Sequence, residues 1–159
     1  MHDTINRLRA KKGDEGFTLI ELLVVVVIIG VLVAIAVPVY LNYRKGAADK
    51  SAQSDVRGAV SAIEQYYTDN SNTYPDPTTE IKSTDHSFNL KDGSDGQVED
   101  GGWVTLSDKS KMTYVPSGDS LSYTVCATNS GGSGKVYVYN SADGGSVTAV
   151  PDASMDTCD

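Results

Sequence analysis

The residue with the clearest chemical potential is Glu21, a lone carboxylate in a long apolar segment. Between Phe17 and Tyr40 the only other polar side chains are those of Thr18 and Tyr40 itself. A charged group inside a membrane helix costs a few kcal/mol and usually has a partner or a function. Because Glu21 lies near the polar edge of the segment, the cost is smaller here, and the carboxylate is a candidate for an ion pair.

Other residue types that support catalysis or metal binding do not form a recognisable site in the sequence. The two histidines, His2 and His86, belong to no Ser/His/Asp or Cys/His arrangement, and no Gly-rich phosphate loop is found. The absence of a Cys/His cluster also argues against structural zinc. The acidic segment 91–100 offers oxygens that suit calcium, but its spacing does not match a calcium loop, and a solvated loop is the simpler interpretation. We therefore expect no enzyme activity, no cofactor and no metal.

The 159 residues fall into two parts of different composition. Residues 22–37 are aliphatic apart from Gly30, whereas the rest is rich in Ser, Thr, Asp, Gly and Tyr. Residues 1–16 carry four basic and three acidic side chains, and residues 17–159 carry nine basic and eighteen acidic ones, which gives the net charge of −8. So acidic a chain lacks the excess of basic side chains that contacts phosphate backbones, and we therefore expect no direct nucleic-acid site. The composition indicates a membrane-associated protein with a small exported domain.

The segment 17–40 is long enough to cross a membrane. Its 24 residues would span about 36 Å as a helix, and a bilayer core of about 30 Å needs roughly 20 apolar residues. A single span must satisfy its own backbone hydrogen bonds in lipid, so helix is the expected state. A secretory signal peptide cut after Ala34-Ile35-Ala36 is an alternative, although the apolar core is long for one and carries a carboxylate in its first turn.

The residues at the head of this segment resemble the type IV prepilin signature. A short charged leader ends at Gly16, Phe17-Thr18-Leu19-Ile20 follows, and Glu21 is the fifth residue after the glycine. The resemblance implies cleavage between Gly16 and Phe17, N-methylation of Phe17 and a role for Glu21 in assembly. At the motif level the resemblance covers about residues 11–75, and its last part, from Ala62 to Pro75, is similar to the end of the long pilin helix.

The resemblance includes two residues that soften the helix, Gly30 and Pro38. Pro38 lacks an N–H and collides with the carbonyl of Ala34, and Gly30 lowers helix propensity. In the isolated chain we expect one nearly continuous helix, at most kinked at Pro38. In a filament, neighbouring subunits offer other partners, so residues 30–38 could lose regular helix and lengthen the subunit by up to roughly 16 Å.

Cleavage before Phe17 would create an α-amine at the tip of an apolar helix. In a staggered array, Glu21 of one chain would pair with the Phe17 amine of the next and fix the register. The alternative is that Glu21 merely lies at the membrane interface near its own N-terminus. The resemblance implies four partners, namely other copies of the chain in a helical filament, prepilin peptidase, the pilus assembly platform and the cytoplasmic membrane. It also implies a single-pass precursor with a cytoplasmic N-terminus and an extracellular pilus after assembly.

The domain organisation follows from the change of pattern along the chain. We expect a leader at 1–16, a transmembrane and assembly helix at 17–40, its amphipathic second half at 41–70 and an irregular connecting loop at 71–102. The apolar stripe of the second half recurs at helical spacing, with residues such as Asp49 between its members. The predicted stripe consists of Ala48, Ala52, Val56, Ala59 or Val60, Ile63, and Tyr66 or Tyr67.

Residues 103–159 predict an antiparallel sheet, because short hairpin-type loops separate alternating segments. The fold class is therefore α+β: a long N-terminal helix, its first half transmembrane, packed against a C-terminal antiparallel sheet as in pilins. In the third strand, Leu121, Tyr123, Val125 and Ala127 share the face expected to cover the helix. The five candidate strands are 103–106, 111–115, 120–128, 135–139 and 146–150.

Two cysteines, Cys126 and Cys158, stand 32 positions apart. An even pair in an acidic exported domain favours a disulfide over a metal or redox site, and two unpaired thiols are the alternative. The resemblance supports the disulfide, because many pilins close a C-terminal loop with such a pair. Closing a loop of this size contributes roughly 3.5 to 4 kcal/mol by chain entropy. We expect the bond on the sheet face away from the helix.

Three functions remain open at this point. The first is a structural subunit of a type IV pilus that serves adhesion, motility or DNA uptake. The second is a pseudopilin of a type II secretion or competence machine. The third is a lone membrane-anchored or secreted binding module. The expected C-terminal disulfide loop favours a pilin over a secretion pseudopilin, and the intact Glu21 favours a chain-extending subunit over a tip-initiating one.

Overall fold

The computed structural model describes residues 16–75, 81–83, 87–90, 103–118 and 121–159. These residues form one helix followed by seven short strands, so the predicted α+β class is confirmed. By its internal contacts the chain divides into two units, Met1–Tyr40 and Leu41–Asp159. The helix α1 is Leu19–Asp69, and the strands are β1 Ile81–Ser83, β2 Ser87–Asn89, β3 Trp103–Thr105, β4 Ser110–Pro116, β5 Tyr123–Asn129, β6 Val136–Asn140 and β7 Thr148–Val150.

The helix α1 runs through 51 residues without interruption, including Pro38. This confirms the nearly continuous helix expected of the isolated chain. It ends where Ser71 and Asn72 take left-handed φ angles of 57° and 60°. The amide of Asn72 donates to the carbonyl of Tyr67 over 3.0 Å, which satisfies one of the last carbonyls of the helix in the manner of a Schellman motif.

The main sheet has five antiparallel strands in the order β1-β4-β5-β6-β7, and β2 pairs with β3 in a separate two-stranded sheet. The prediction that 71–102 is an irregular connection was therefore wrong for β1 and β2. Each of these strands has only three residues, too few for an alternating pattern to appear in the sequence. The backbone pairing of β1 with β4 and of β2 with β3 defines these strands, and that pairing is a tertiary property.

The core of the second unit lies between α1 and the sheet. Tyr123, Val125 and Ala127 are buried against the helix stripe, as predicted for the inner face of β5. Leu121 was wrongly placed with them. It lies before the start of β5 and is 77% exposed. The fully buried members of the stripe are Ala52, Val56, Ala59 and Ile63.

Two buried carboxylates of α1 hold loops of the sheet. Asp49 accepts hydrogen bonds from the amide and hydroxyl of Ser133 at 2.8 and 2.6 Å. Asp55 accepts the same pair of bonds from Ser107 at 3.1 and 2.7 Å. The prediction that Asp49 lies on the polar face of the helix was wrong, because its side chain is only 7% exposed. A carboxylate can be buried there because two charge-assisted donors replace water.

A cluster of tyrosines closes the other end of the core around Glu64. The hydroxyl of Tyr123 donates to Glu64 Oε1 over 2.9 Å, and the ring of Tyr123 lies 5.0 Å from that of Tyr74 and 5.7 Å from that of Tyr114. Burial, and then the hydrogen bond to Glu64 and its charge, raises the pKa of Tyr123. Burial and Glu64 also raise the pKa of Tyr74. The cluster therefore favours neutral phenols in the folded chain.

We predict that the free energy of unfolding falls in alkaline solution because of this cluster. Below about pH 10 the phenol of Tyr123 is protonated in both states, so it causes no loss of stability. Above that pH the unfolded chain loses the proton and the folded chain keeps it, so the free energy of unfolding drops by about 1.4 kcal/mol per pH unit for this group. Urea unfolding of the detergent-solubilised chain between pH 7 and about pH 11, followed by Trp103 fluorescence, measures the slope.

The Tyr123→Phe variant separates this group from the general effect of alkali. At pH 7 it should lose about 1 to 2 kcal/mol through the missing bond to Glu64. Above about pH 10 its stability should fall less steeply than that of the wild type. Tyr43→Phe is the matched control, because the Tyr43 side chain is exposed, and it should follow the wild-type curve. An alkaline slope that Tyr123→Phe leaves unchanged would contradict the assignment.

Candidate processing and assembly site

The proposed cleavage point lies at the beginning of the described chain, before α1. Gly16 and Phe17 are both exposed and precede the helix, which starts at Leu19. A Cβ added to Gly16 would meet no atom of the described residues within 4 Å, and the φ angle of Gly16 is outside the left-handed region. The described part of the fold therefore places no requirement for glycine at position 16. A requirement there would have to come from a protein that binds this peptide.

Glu21 forms a capping box with Thr18 at the start of the helix. Its Oε2 accepts hydrogen bonds from the Thr18 amide at 2.8 Å and from the Thr18 hydroxyl at 2.7 Å. The Thr18 hydroxyl in turn accepts a bond from the Glu21 amide at 3.3 Å. Thr18 is thus the N-cap and Glu21 the third helical residue, the reciprocal arrangement typical of a Thr-x-x-Glu sequence. Sequence reasoning missed this role, although the Thr18-Leu19-Ile20-Glu21 pattern could have indicated it.

The capping box leaves half of the carboxylate available to another group. Both bonds from Thr18 end on Oε2, and within the described residues Oε1 of Glu21 accepts no hydrogen bond. The helix N-terminus, with its unpaired amides and positive dipole end, favours a negative charge at this position. Glu21 can therefore cap its own helix with one oxygen and receive a cation at the other.

The helix that carries this site is apolar on all sides in its first half. The large apolar side chains from Phe17 to Tyr43 are between 48% and 84% exposed. Gly30 and Pro38 lie inside α1, and a Cβ at Gly30 would meet nothing within 4 Å. Among the described residues α1 is one helix with the length and composition of a membrane span. Such a surface requires lipid or other apolar surfaces around it.

A disulfide between Cys126 and Cys158 ties the C-terminal residues to the sheet, with a Cα–Cα distance of 5.5 Å. Both cysteines are buried with Val136 and Val138 in a cluster separate from the one that α1 covers. The hydroxyl of Thr113 adds a bond of 2.6 Å to the carbonyl of Met155. The C-terminal tail therefore packs on the opposite face of the sheet from the helix.

We predict that the double variant Cys126→Ser, Cys158→Ser loses about 3.5 to 4 kcal/mol of unfolding free energy through the freed loop of the unfolded chain. Burial of two hydroxyls where the sulfurs packed adds to this loss. Urea unfolding of the oxidised wild type, the reduced wild type and the variant measures it. The reduced wild type should unfold at a urea concentration between those of the oxidised wild type and the variant, because it loses the loop closure but buries no hydroxyls. Equal midpoints for all three forms would show that the loop closure does not stabilise the fold.

Metal ligands are not grouped in the described part of the chain, where no set of three His, Cys, Asp or Glu side chains comes together. The acidic segment 91–100 and the two histidines, His2 and His86, lie outside the described residues. The expectations that segment 91–100 is a solvated loop rather than a calcium site, and that the two histidines have no catalytic role, therefore remain predictions.

Comparison with known proteins agrees with the arrangement at the start of the helix. Residues 11–37 match the family model of the prokaryotic N-terminal methylation motif. The chain is 31% identical over 109 residues to the type IV major pilin protein PilE of Neisseria gonorrhoeae, which is 69% of this chain and 65% of that protein. It is 42% identical over 59 residues to the fimbrial protein EcpC of Eikenella corrodens, 37% of this chain and 39% of that protein.

A second group of relatives comes from secretion systems. The chain is 40% identical over 70 residues to the type II secretion system core protein G of Aeromonas hydrophila, 44% of this chain and 47% of that protein. In each of these comparisons the chain spans less than two thirds of the relative's length. In its N-terminal motif, in its relatives from both groups and in its α+β fold, the chain is similar to type IV pilins and to the type II secretion system core protein G.

Proposed function

We propose that this chain is a structural subunit of a type IV pilus. Prepilin peptidase would cut the precursor between Gly16 and Phe17, and the mature chain, N-methylated at Phe17, would assemble with copies of itself into a surface filament. Such filaments serve adhesion, motility or DNA uptake. The precursor would be a single-pass protein of the cytoplasmic membrane with its N-terminus in the cytoplasm, delivered to the pilus assembly platform.

The observation that carries the proposal is the uncovered apolar half of α1 with one carboxylate at its tip. The large apolar side chains from Phe17 to Tyr43 are exposed, and the buried residues of α1 begin only at Asp49, in the second unit. In lipid the helix anchors the precursor, and in a bundle of identical helices the same surface becomes an interface. An anchor alone would not require Glu21, whereas a staggered bundle gives its charge a partner.

The partner of Glu21 in this proposal is the α-amine of Phe17 in the neighbouring chain. Cleavage creates that amine, and it would approach Oε1, the oxygen that the capping box leaves open. Two opposite charges in a low-dielectric bundle attract strongly, but their desolvation offsets much of the gain. The pair would therefore set the stagger of the subunits more than it would add to filament stability.

The second candidate function is a pseudopilin of a type II secretion or competence machine, and the similarity to core protein G supports it. The two candidates share the leader, the apolar helix and Glu21. The disulfide-bonded C-terminal loop favours the pilus, because secretion pseudopilins often lack such a loop and hold calcium instead.

Recovery of surface filaments tests the proposal and separates the two candidates. We expect shearing of the cells that express the chain to release long filaments, which antibodies against the chain label along their whole length in electron micrographs. Cells without the chain are the control and should yield none of these filaments. The pseudopilin would instead be indicated if cells with the chain release no surface filament and cells without the chain lose protein secretion.

A map of such a filament would also test the behaviour of Gly30 and Pro38. In the isolated chain α1 is continuous through both residues. In the filament we expect the segment between them to lose regular helix, because neighbouring subunits supply other partners for the freed backbone groups. Unbroken helical density from Phe17 to Tyr67 would contradict this expectation.

A further inference from the structure

The second unit contains a basic pocket that neither the core nor the assembly site uses. It lies between the start of this unit's part of α1 and two loops of the sheet, and it has a volume of about 370 Å³. Arg44, Lys45 and Lys109 line it together with a single acidic residue, Asp108. Residues 41–159 hold only nine basic side chains against seventeen acidic ones. Three of the nine therefore converge on one pocket of an otherwise acidic body.

The loops build this pocket by specific hydrogen bonds rather than by chance proximity. Lys109 has a left-handed φ angle of 64°, unusual for a residue with a Cβ. Its carbonyl accepts a bond of 3.1 Å from the amide of Ser130. The side-chain amide of Asn129 donates to the carbonyl of Asp108 over 2.9 Å. The turn between β3 and β4 is thus tied to the turn after β5, which places Lys109 beside residues of the helix that precede it by more than sixty positions.

Both lysines of the pocket are available to a ligand. Their side chains are exposed, and within the described residues the ammonium groups of Lys45 and Lys109 make no hydrogen bond or ion pair. Arg44 has an interaction of its own in the structure, so the argument rests on the two lysines. Two ammonium groups around a cavity of this volume suit a phosphate-sized anion.

The position of the pocket along the chain indicates which kind of anion it binds. Lys45 follows Tyr40, the last residue of the predicted span, by five positions, which is about 8 Å of helix rise. The headgroup layer of a bilayer extends about 5 to 7.5 Å beyond the hydrocarbon core, and a long lysine side chain can reach back into it from this position. Leu41, which also lines the pocket, adds an apolar contact. We propose that the pocket binds the phosphate headgroup of an anionic phospholipid while the precursor resides in the membrane.

This inference rests on the membrane-anchored precursor of the proposed function but not on filament formation. Each lysine near an anionic lipid surface strengthens binding by about 1 kcal/mol, or about fivefold. Native mass spectrometry of the full chain in detergent, with equal amounts of phosphatidylglycerol and phosphatidylcholine added, measures which lipid is retained. We expect the wild type to retain phosphatidylglycerol in preference to phosphatidylcholine.

Two double variants with the same change of charge make the test specific. Lys45→Gln with Lys109→Gln should lower phosphatidylglycerol retention by about 30-fold. Lys111→Gln with Lys135→Gln removes two exposed lysines outside the pocket and should leave retention unchanged. Circular dichroism of both variants confirms that they fold.

Four results would overturn the proposal. Equal retention of the two lipids, or equal losses in the two double variants, would show that the pocket does not select an anionic headgroup. Displacement of phosphatidylglycerol by an equal concentration of inorganic phosphate would assign the pocket to a free anion. Loss of chain dimers in Lys45→Gln, Lys109→Gln without loss of lipid would assign it to a second copy. The proposed pilus subunit would survive all four results, because none of them measures processing or filament assembly.

Discussion

Cells that carry Glu21→Val should process and insert the chain normally but produce few or no surface filaments. The substitution makes the apolar segment more apolar, so membrane retention should not fall. What disappears is the partner of the neighbouring Phe17 amine. An uncompensated charge buried in a helix bundle costs about 3 kcal/mol or more, which is over a hundredfold in an association equilibrium. Western blots of sheared and cell-bound fractions measure the effect.

The capping box provides two matched controls for this prediction. Glu21→Gln keeps an acceptor for the Thr18 amide, since Gln also occurs in capping boxes, but it removes the charge. We expect it to impair assembly nearly as strongly as Glu21→Val. Thr18→Val removes the capping hydroxyl and keeps the charge. It should cost only about 1 kcal/mol of helix stability and leave filaments close to wild-type levels.

The two controls therefore distinguish the two roles of the carboxylate. If Glu21 acts only as a helix cap, Glu21→Gln should assemble normally and Thr18→Val should be impaired. That pattern would overturn the pairing of Glu21 with the amine, and so would wild-type filament levels in Glu21→Val cells.

The second large effect is expected for Gly16→Val, which should leave an uncut precursor of higher mass. A peptidase that cuts beside the membrane surface must approach the backbone closely, and a branched side chain next to the scissile bond would block it. The described part of the chain leaves room for a side chain there, because a Cβ at Gly16 meets no atom of those residues within 4 Å. A defect in this variant therefore reports on recognition rather than on folding.

Gly13→Val is the matched control for this variant, since it makes the same change three residues earlier in the leader. It should mature normally. Normal maturation of Gly16→Val would show that the cleavage site is assigned to the wrong bond. A block in both variants would show that the leader as a whole, rather than the residue before the cut, is sensitive to bulk.

The features that the sequence predicted well are those whose signal is continuous along the chain. The apolar run around Gly30 needs no tertiary partner to be recognised as a span, and the stripe with Val56 and Ile63 repeats at helical spacing over several turns. The inner face of β5 was predicted for the same reason, because its apolar and polar residues alternate. The exposed Leu121 continues this alternation but lies before the strand begins, and periodicity does not mark where pairing starts.

The features that the sequence did not predict depend on partners distant in the chain. Asp49 is buried only because Ser133, 84 positions later, supplies two donors to its carboxylate. The turn approaches so closely that a Cβ at Gly132 would collide with that carboxylate. The basic pocket likewise joins Lys45 to Lys109 through a turn with an unusual backbone angle. Neither arrangement leaves a local pattern, so sequence reasoning could not have placed them.

The capping box was also not predicted from the sequence, but for a different reason. Its signal, Thr18 followed three positions later by Glu21, is local and present in the sequence. The resemblance to the prepilin signature already accounts for Glu21, so the presence of a carboxylate at this position does not by itself indicate a capping box. In the structure both capping bonds end on Oε2, so that among the described residues Oε1 of Glu21 accepts no hydrogen bond.

The central claim, that this chain is a prepilin-type precursor, is tested most directly by intact-mass and N-terminal analysis of the mature protein from cells. We predict a chain that begins at Phe17 and carries a methylated α-amine, with Cys126 and Cys158 oxidised to a disulfide. A mature N-terminus at Val37 would instead show that the apolar segment is a secretory signal peptide. That result would contradict the account, because the chain would then lack Glu21, the apolar helix and any means of assembling through them.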